Sequence, residues 1–212
     1  MSLSTRPSLA AAVLVAALTT GCATDPLPAP VLLTLPSTAP GATAPNGADT
    51  AASAAGANQP LLAVRRIAIP EYLVARRVRY RADPSTLAEW PNTYWAERIE
   101  IGVSREFLSA LRSQLPGWSL CESTCGDRVP ALALQVEMVP LDYVRSAQRL
   151  QARARVAVSS AGSGPRVLQT QEWSYEVAAS ADTAQGQAQA VAELIRQVAT
   201  ATATLVRASA PR

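Results

Sequence analysis

Few residues in this chain have side chains suited to covalent or acid–base chemistry. There is no histidine, there are three cysteines (Cys22, Cys121 and Cys125), and the carboxylates number 16. A serine or cysteine nucleophile needs a base to take its proton, and the imidazole that usually does so is missing. Cys121 and Cys125 amount to half a zinc site, with no histidine and no second close cysteine pair to complete it, so no metal is expected. Asp142, Glu137 and Glu122 stand in no recognisable catalytic context, and no glycine-rich phosphate loop occurs. The residues therefore predict neither an enzyme nor a bound cofactor, and thiol chemistry is what remains.

Cys22 has the most informative surroundings. Arg6 supplies a short basic region, and Leu9 to Leu18 form an unbroken apolar run. That run is too short for a membrane helix, which needs ~20 apolar residues, and fits the roughly 7–15 of a cleavable signal peptide. Thr19, Thr20 and Gly21 are the small residues that follow it. The stretch from Leu18 to Cys22 resembles a lipobox, the signal of lipoprotein signal peptidase, with Thr19 where leucine is usual. This predicts residues 1–21 as a signal peptide and Cys22 as the lipidated first residue of the mature chain. A buried Cys22 in an ordinary secreted protein is the alternative. Either route exports the chain, and an oxidising compartment permits a Cys121–Cys125 disulfide, two reduced thiols being the other reading.

Charge excludes another class. The 19 basic residues, all arginine, face 16 acidic ones for a formal charge of +3, and losing Arg6 with the signal peptide brings the balance nearer neutral. A nucleic-acid binder would carry a clustered basic surface, and none is expected here.

Val31 to Leu35 is a short β-prone piece, followed from Ser37 to Pro60 by a run of Ala, Gly, Thr, Pro, Asn and Ser without apolar periodicity. Such a run buries too little surface to offset its ordering entropy and reads as flexible. It is either a long surface loop inside the domain, with Val31–Leu35 as a first strand, or part of a tether from Ala23 to Pro60. Residues 22–60 thus form a lipidated N-terminal segment, and residues 61–212 one domain of an ordinary size.

Within that domain Leu61 to Ile69, ended by Pro70, and Val78 to Arg81 are strand candidates, and Pro84 and Pro91 bracket a loop. Ile99, Val103, Phe107, Leu108, Leu111 and Leu115 recur at helical spacing, predicting a helix from about Tyr94 to Leu115 that Pro116 and Gly117 stop. Ala131 to Val139 alternates as a half-buried strand. Ser146–Ser159 and Arg166–Val177 flank a Gly- and Pro-containing turn and predict a hairpin. The side-chain pattern suggests Ala152 opposite Trp173, Leu150 opposite Tyr175, Arg153 opposite Glu172 and Arg149 opposite Glu176. A last helix, about Asp182 to Arg207, carries Ala188, Val191, Ile195, Val198, Thr202 and Leu205 on one stripe, with Asp182 and Gln185 as a capping pair. The predicted fold is α+β: a two-layer sandwich in which a mostly antiparallel sheet of about five strands packs against two helices.

Two stretches, Ile69-Pro-Glu-Tyr-Leu73 at a strand end and Tyr94-Trp-Ala-Glu97 before the first helix, resemble the ABC-type transport auxiliary lipoproteins, the PqiC-like family. Leu33-Thr-Leu35 stands where that family has an early Tyr-Thr-Leu motif. Val74-Ala75-Arg76 replaces the usual Asp-Arg, Arg98 replaces a proline, and the insert from Ser37 to Pro60 is the largest departure. The resemblance implies an accessory subunit of a lipid-transport system that maintains membrane integrity. Its implied partners are an inner-membrane ABC transporter and a periplasmic MCE-domain protein, and a homo-oligomer is compatible with it. Ala23, where aspartate commonly retains a lipoprotein at the inner membrane, points by analogy to the outer membrane. A general outer-membrane assembly or scaffold lipoprotein is the alternative function, and lipid carriage by the domain itself would require an apolar cavity.

Tyr72, Trp95, Arg76 and Arg77 are the candidate partner-binding residues, with core packing the competing role for the two aromatics. Arg76, Arg77, Arg79 and Arg81 read either as a contact for anionic groups or as the charged surface of an edge strand. Glu97 is expected in the first turn of a helix, where its charge suits the macrodipole.

Overall fold

The computed structural model describes residues 28–37, 59–122, 125–161 and 164–210. The predicted signal peptide, Cys22 and most of the Ser37–Pro60 run lie outside the described residues. Among the described residues the fold is α+β, a curled sheet with two helices. In chain order the elements are β1 (Val31–Leu33), β2 (Leu61–Val64), β3 (Arg77–Asp83), β4 (Thr86–Trp95), α1 (Ile99–Gln114), β5 (Ser119–Glu122), β6 (Leu132–Val144), β7 (Arg149–Ser160), β8 (Val167–Ala178) and α2 (Ala184–Ser209).

The sheet is mixed, with more strands than the sequence pattern suggests. Parallel pairs join β1 to β4, β2 to β5, and β6 to both β2 and β3. Antiparallel pairs join β3 to β4, β6 to β7 and β7 to β8. β6 organises all of this. One edge runs along β7 for its full length, while the other takes β2 at Leu132–Leu134 and β3 only at its far end, Val144. The β1 pairing with Thr93–Trp95 makes Val31–Leu33 part of the sheet and not of a tether.

Two strands escape the sequence pattern. β4 occupies what the prolines suggest is a loop, because Pro91 and Asn92 sit at an irregularity of the β3–β4 ladder and Asn92 takes the left-handed conformation, φ 47°. A bulge tolerates a proline, which has no N–H to give to a ladder. β6 likewise runs on past Val139 and Pro140, where its register against β7 shifts between Met138 and Leu141. β5 is a four-residue strand held by β2.

The helical stripes place the core. Ile99, Val103, Phe107, Leu108, Leu111 and Leu115 are all buried, and so are Ala188, Val191, Ile195, Val198 and Thr202 of α2. The alternate buried residues Leu150, Ala152, Ala154, Val156 and Val158 of β7 belong to the same cluster. Each large aliphatic side chain so buried contributes roughly 1.5–3 kcal/mol. α1 starts at Ile99 and not near Tyr94, because Tyr94 and Trp95 are the last residues of β4, paired to β1. Glu97 therefore precedes the helix, and it accepts two bonds from the Arg105 guanidinium at 2.6 and 2.8 Å.

The N-terminal cap of α2 also differs from expectation. Thr183, not Asp182, caps it, its Oγ1 accepting from Gly186 N at 3.0 Å, while Asp182 is taken by Arg145 at 3.0 Å. The hairpin forms with its register moved by two residues: Ala154 faces Trp173, Ala152 faces Tyr175 and Leu150 faces Val177. A two-residue move keeps every side chain on its predicted face. The expected ion pairs survive as diagonal neighbours, Arg149–Glu176 at 2.6 Å and Arg153–Glu172 at 3.5 Å.

Gly186 gives a direct test of how tightly the start of α2 is seated. A Cβ there would lie 2.2 Å from the Ala181 carbonyl oxygen, whereas one at Gly117 meets nothing within 4 Å. Gly186→Ala is expected to lower unfolding stability by about 1–3 kcal/mol, the range for overpacking. Gly117→Ala should change it by less than about 0.5 kcal/mol, both measured by chemical denaturation.

Candidate functional site

Of the residues singled out by sequence, Tyr72, Arg79 and Arg81 meet where β2 leaves β6 and β3 joins it. A single 3₁₀ turn, Glu71–Leu73, bridges that gap and carries Tyr72. The Tyr72 hydroxyl donates to Asp142 Oδ1 at 2.8 Å, and Arg81 donates to the same oxygen at 3.1 Å while its Nε lies 3.0 Å from Oδ2. The Arg81 guanidinium also lies 5.7 Å from the centre of the Tyr72 ring. Burial first, and then the hydrogen bond and charge of Asp142, push the Tyr72 hydroxyl above its ordinary value, so it stays a proton donor. Asp142 is thus a structural acceptor shared by the Tyr72 turn and β3.

Arg79 continues the same lock. Its NH1 donates to the Tyr72 carbonyl at 2.9 Å, and its Nε reaches Glu89 at 3.3 Å. Glu89 also takes Arg77 at 3.3 Å. β3 is flanked by β4 and, at Arg81, by β6, so the arginine cluster does not line an edge strand. Of the four arginines, Arg79 and Arg81 are half-buried and committed inward, while Arg76 and Arg77 are exposed.

Trp95 is 5 % exposed and packs in the core, its backbone N–H donating to the Arg76 carbonyl at 2.7 Å. It is the packing role, not a surface contact, that the structure gives this tryptophan. Cys121 and Cys125 are joined in a disulfide. Among the described residues no group of three His, Cys, Asp or Glu side chains is placed to hold a metal ion.

A second polar constellation gives no sequence signal. Arg145 stacks on Trp90, 4.3 Å from its centre, donates to the Tyr80 hydroxyl at 2.9 Å and pairs with Asp182. Trp90 Nε1 donates to Gln187 Oε1 at 2.7 Å, and Gln187 Nε2 donates to the Arg79 carbonyl at 2.8 Å. These contacts span up to 108 residues of sequence, beyond the reach of any local pattern. They tie α2 to β3 and β4.

The interior at this end is filled. The cavity between the sheet and the helices, lined by Leu73, Trp95, Ile99, Leu141, Tyr143 and Val191 among others, holds about 20 Å³. That is room for about one water, so an acyl chain has no place there. These packing contacts, hydrogen bonds and ion pairs fix a shape.

Tyr72→Phe removes one hydrogen bond and leaves the Arg81–Asp142 pair, at an expected cost of ~0.5–1.5 kcal/mol. The phenol's raised value is a stability contribution present below about pH 10 and lost as pH rises through the folded-state value. The alkaline fall in stability should therefore be shallower in Tyr72→Phe than in the parent, as read by denaturation at a series of pH values.

The comparisons with known proteins bear on the fold and the family. No curated protein matches the chain in sequence. Among solved structures, an uncharacterized protein is similar with a TM-score of 0.66 at 17% identity, over 84% of this chain and 99% of its own. Protein XCC0632 of Xanthomonas campestris, assigned to the DUF330 family, is similar with a TM-score of 0.54 at 15% identity, over 72% of this chain and 89% of its own. At such identities the likeness concerns the fold. The family model described as "ABC-type transport auxiliary lipoprotein component" matches residues 44–203, which include the Tyr72 turn, the disulfide, the whole of α1, and α2 as far as Ala203. The chain belongs to the ABC-type transport auxiliary lipoprotein family.

Proposed function

We propose that this protein is an outer-membrane lipoprotein, acylated on Cys22, whose domain faces the periplasm and serves without catalysis as the accessory subunit of a lipid-transport system. The partners in this reading are an inner-membrane ABC transporter and a periplasmic MCE-domain protein. The family match over residues 44–203 carries it. Lipid as the cargo and the MCE partner are further steps that rest on the resemblance of Ile69–Leu73 and Tyr94–Glu97 to the PqiC-like family, while the lipobox-like Leu18–Cys22 stretch supports the anchor and Ala23 after it the outer membrane.

Physical chemistry supports a holding role. A chain without histidine, with its cysteine pair in a disulfide, lacks the usual nucleophile–base pairs. The filled interior favours a domain that docks a partner over one that carries lipid. Each buried CH₂ of an acyl chain contributes ~0.8 kcal/mol, and two or more chains hold a protein stably on its membrane. In this reading Tyr72 fixes the turn beside the exposed Arg76 and Arg77.

Replacing Cys22 by serine is expected to move the folded domain from the membrane fraction to the soluble periplasmic fraction and to abolish transport in cells. Retention of Cys22→Ser in the membrane pellet would remove the anchor from this reading. The unaltered protein should co-purify with the MCE-domain protein and the ABC transporter from membranes in mild detergent. Clean failure to do so would favour a general scaffold lipoprotein.

A further inference from the structure

We infer that the domain rests on the bilayer through the exposed face of its β1–β4–β3 corner, with Leu32 at the apolar boundary and Tyr94 and Arg77 at the headgroups. This rests on the reading that Cys22 is the acylated residue. Six Cα steps separate Cys22 from Pro28, and whatever path they take they span at most about 22 Å. Pro28 is itself fixed to the sheet: the Asn92 side-chain amide donates to the Pro28 carbonyl at 2.8 Å and to the Ala29 carbonyl at 3.0 Å. The chain then pairs with β4 from Val31. An acylated Cys22 therefore keeps this corner within that reach of the membrane, and a 38-residue tether is not available to lift it away.

The surface at this corner suits that neighbour. Pro28, Ala29, Pro30, Val31 and Leu32 form a continuous exposed apolar stretch, with Leu32 59% exposed. Leu32 is in register with Tyr94, and Tyr94 with Arg77, so the three side chains form one row across three strands. The Arg77 guanidinium lies 5.2 Å from the centre of the Tyr94 ring. From the sheet edge inward the row thus runs apolar, aromatic, cationic. Aromatic rings with a polar tip and arginines with a long apolar stem are the side chains that settle at a membrane interface.

Charge points the same way. Glu89 is shared by Arg77 and Arg79, so cations outnumber the carboxylate, and Arg76 is exposed beside them without an ion pair among the described residues. Basic groups are attracted to an anionic leaflet. A second copy or a partner strand is a weaker fit, because β1 offers only three residues for backbone pairing.

The test uses the full acylated chain in vesicles of phosphatidylethanolamine and phosphatidylglycerol containing a spin-labelled lipid as quencher. Leu32→Cys, Arg77→Cys and Val167→Cys are each labelled with an environment-sensitive fluorophore, and acylation of Cys22 is checked by mass. Val167 is an exposed apolar residue at the start of β8, the strand at the other end of the β6–β7–β8 series. Quenching at 32 should exceed that at 167 several-fold, with a blue-shifted emission, and quenching at 77 should fall between them. The label at 77 decides the matter if Leu32→Cys loosens β1. Equal quenching at all three positions on acylated protein would overturn the seating while leaving the anchor intact. Absence of acyl mass on Cys22 would overturn both.

Discussion

Most of this structure depends on how the two edges of β6 are shared. Its thirteen residues present backbone donors and acceptors on both sides, and a buried strand cannot leave them unpaired. β7 pairs with one edge from Leu132 to Met138 and again from Leu141 to Val144. The other is divided between β2 and β3, two parallel strands that meet β6 at opposite ends. Between them the chain runs alongside β6 with irregular bonds, Ala68 N donating to Val136 O and Met138 N to Ala68 O, and then departs. Val139 and Pro140 lie where that support stops and where the register against β7 shifts. Proline has no N–H to offer a ladder, so it is tolerated at this point and would not be two residues earlier.

The family-like stretch from Ile69 to Leu73 acquires a physical meaning from this division. It is the bridge across the gap in β6's second edge. Pro70 precedes the turn, Tyr72 hooks onto Asp142 of β6 beyond the gap, and Arg79 of β3 holds the Tyr72 carbonyl. The polar lock replaces the ladder bonds that neither strand supplies. Arg81, Tyr72 and Asp142 are each partly shielded from water, where charge-assisted bonds are stronger than at an open surface. The cluster is therefore best understood as joinery between two halves of the sheet.

What the sequence reveals follows from which forces are local. The stripes of α1 and α2 are legible because a buried helix face repeats every three or four residues, and the hairpin because both strands alternate. Its register is not, since a period of two fixes the face and leaves a two-residue slip undecided. Packing resolves it: Trp173 and Tyr175 lie over Ala154 and Ala152, small residues that leave room for the rings. β4 is hidden by Pro91 and β5 by its brevity. Tyr72 and the arginines stand out by type, but Asp142 as their partner lies 70 residues from Tyr72, and no spacing rule joins them. The same distance problem hides Gln187, which ties Trp90 to the Arg79 backbone.

The ends of the sheet show how one domain combines exposure with attachment. β5 and β1 are short, and short edge strands make poor templates for unwanted pairing. β8 is long, and two glutamates on its exposed face, Glu172 and Glu176, pair with arginines of β7 and keep charge along that border. β1 has only three residues but is held by more than its ladder. Leu33 and Leu35 are buried, the latter against α1 near Gly102, and the Leu33 carbonyl accepts from Ala96 N at 2.8 Å. With Asn92 gripping Pro28 and Ala29, a pull along the N-terminal segment is shared among β4, the start of α1 and the core before it can peel the strand away. A lipoprotein anchored through Cys22 would transmit membrane forces to this corner first, and it is there that the fold joins a short strand to buried leucines and a side-chain clamp.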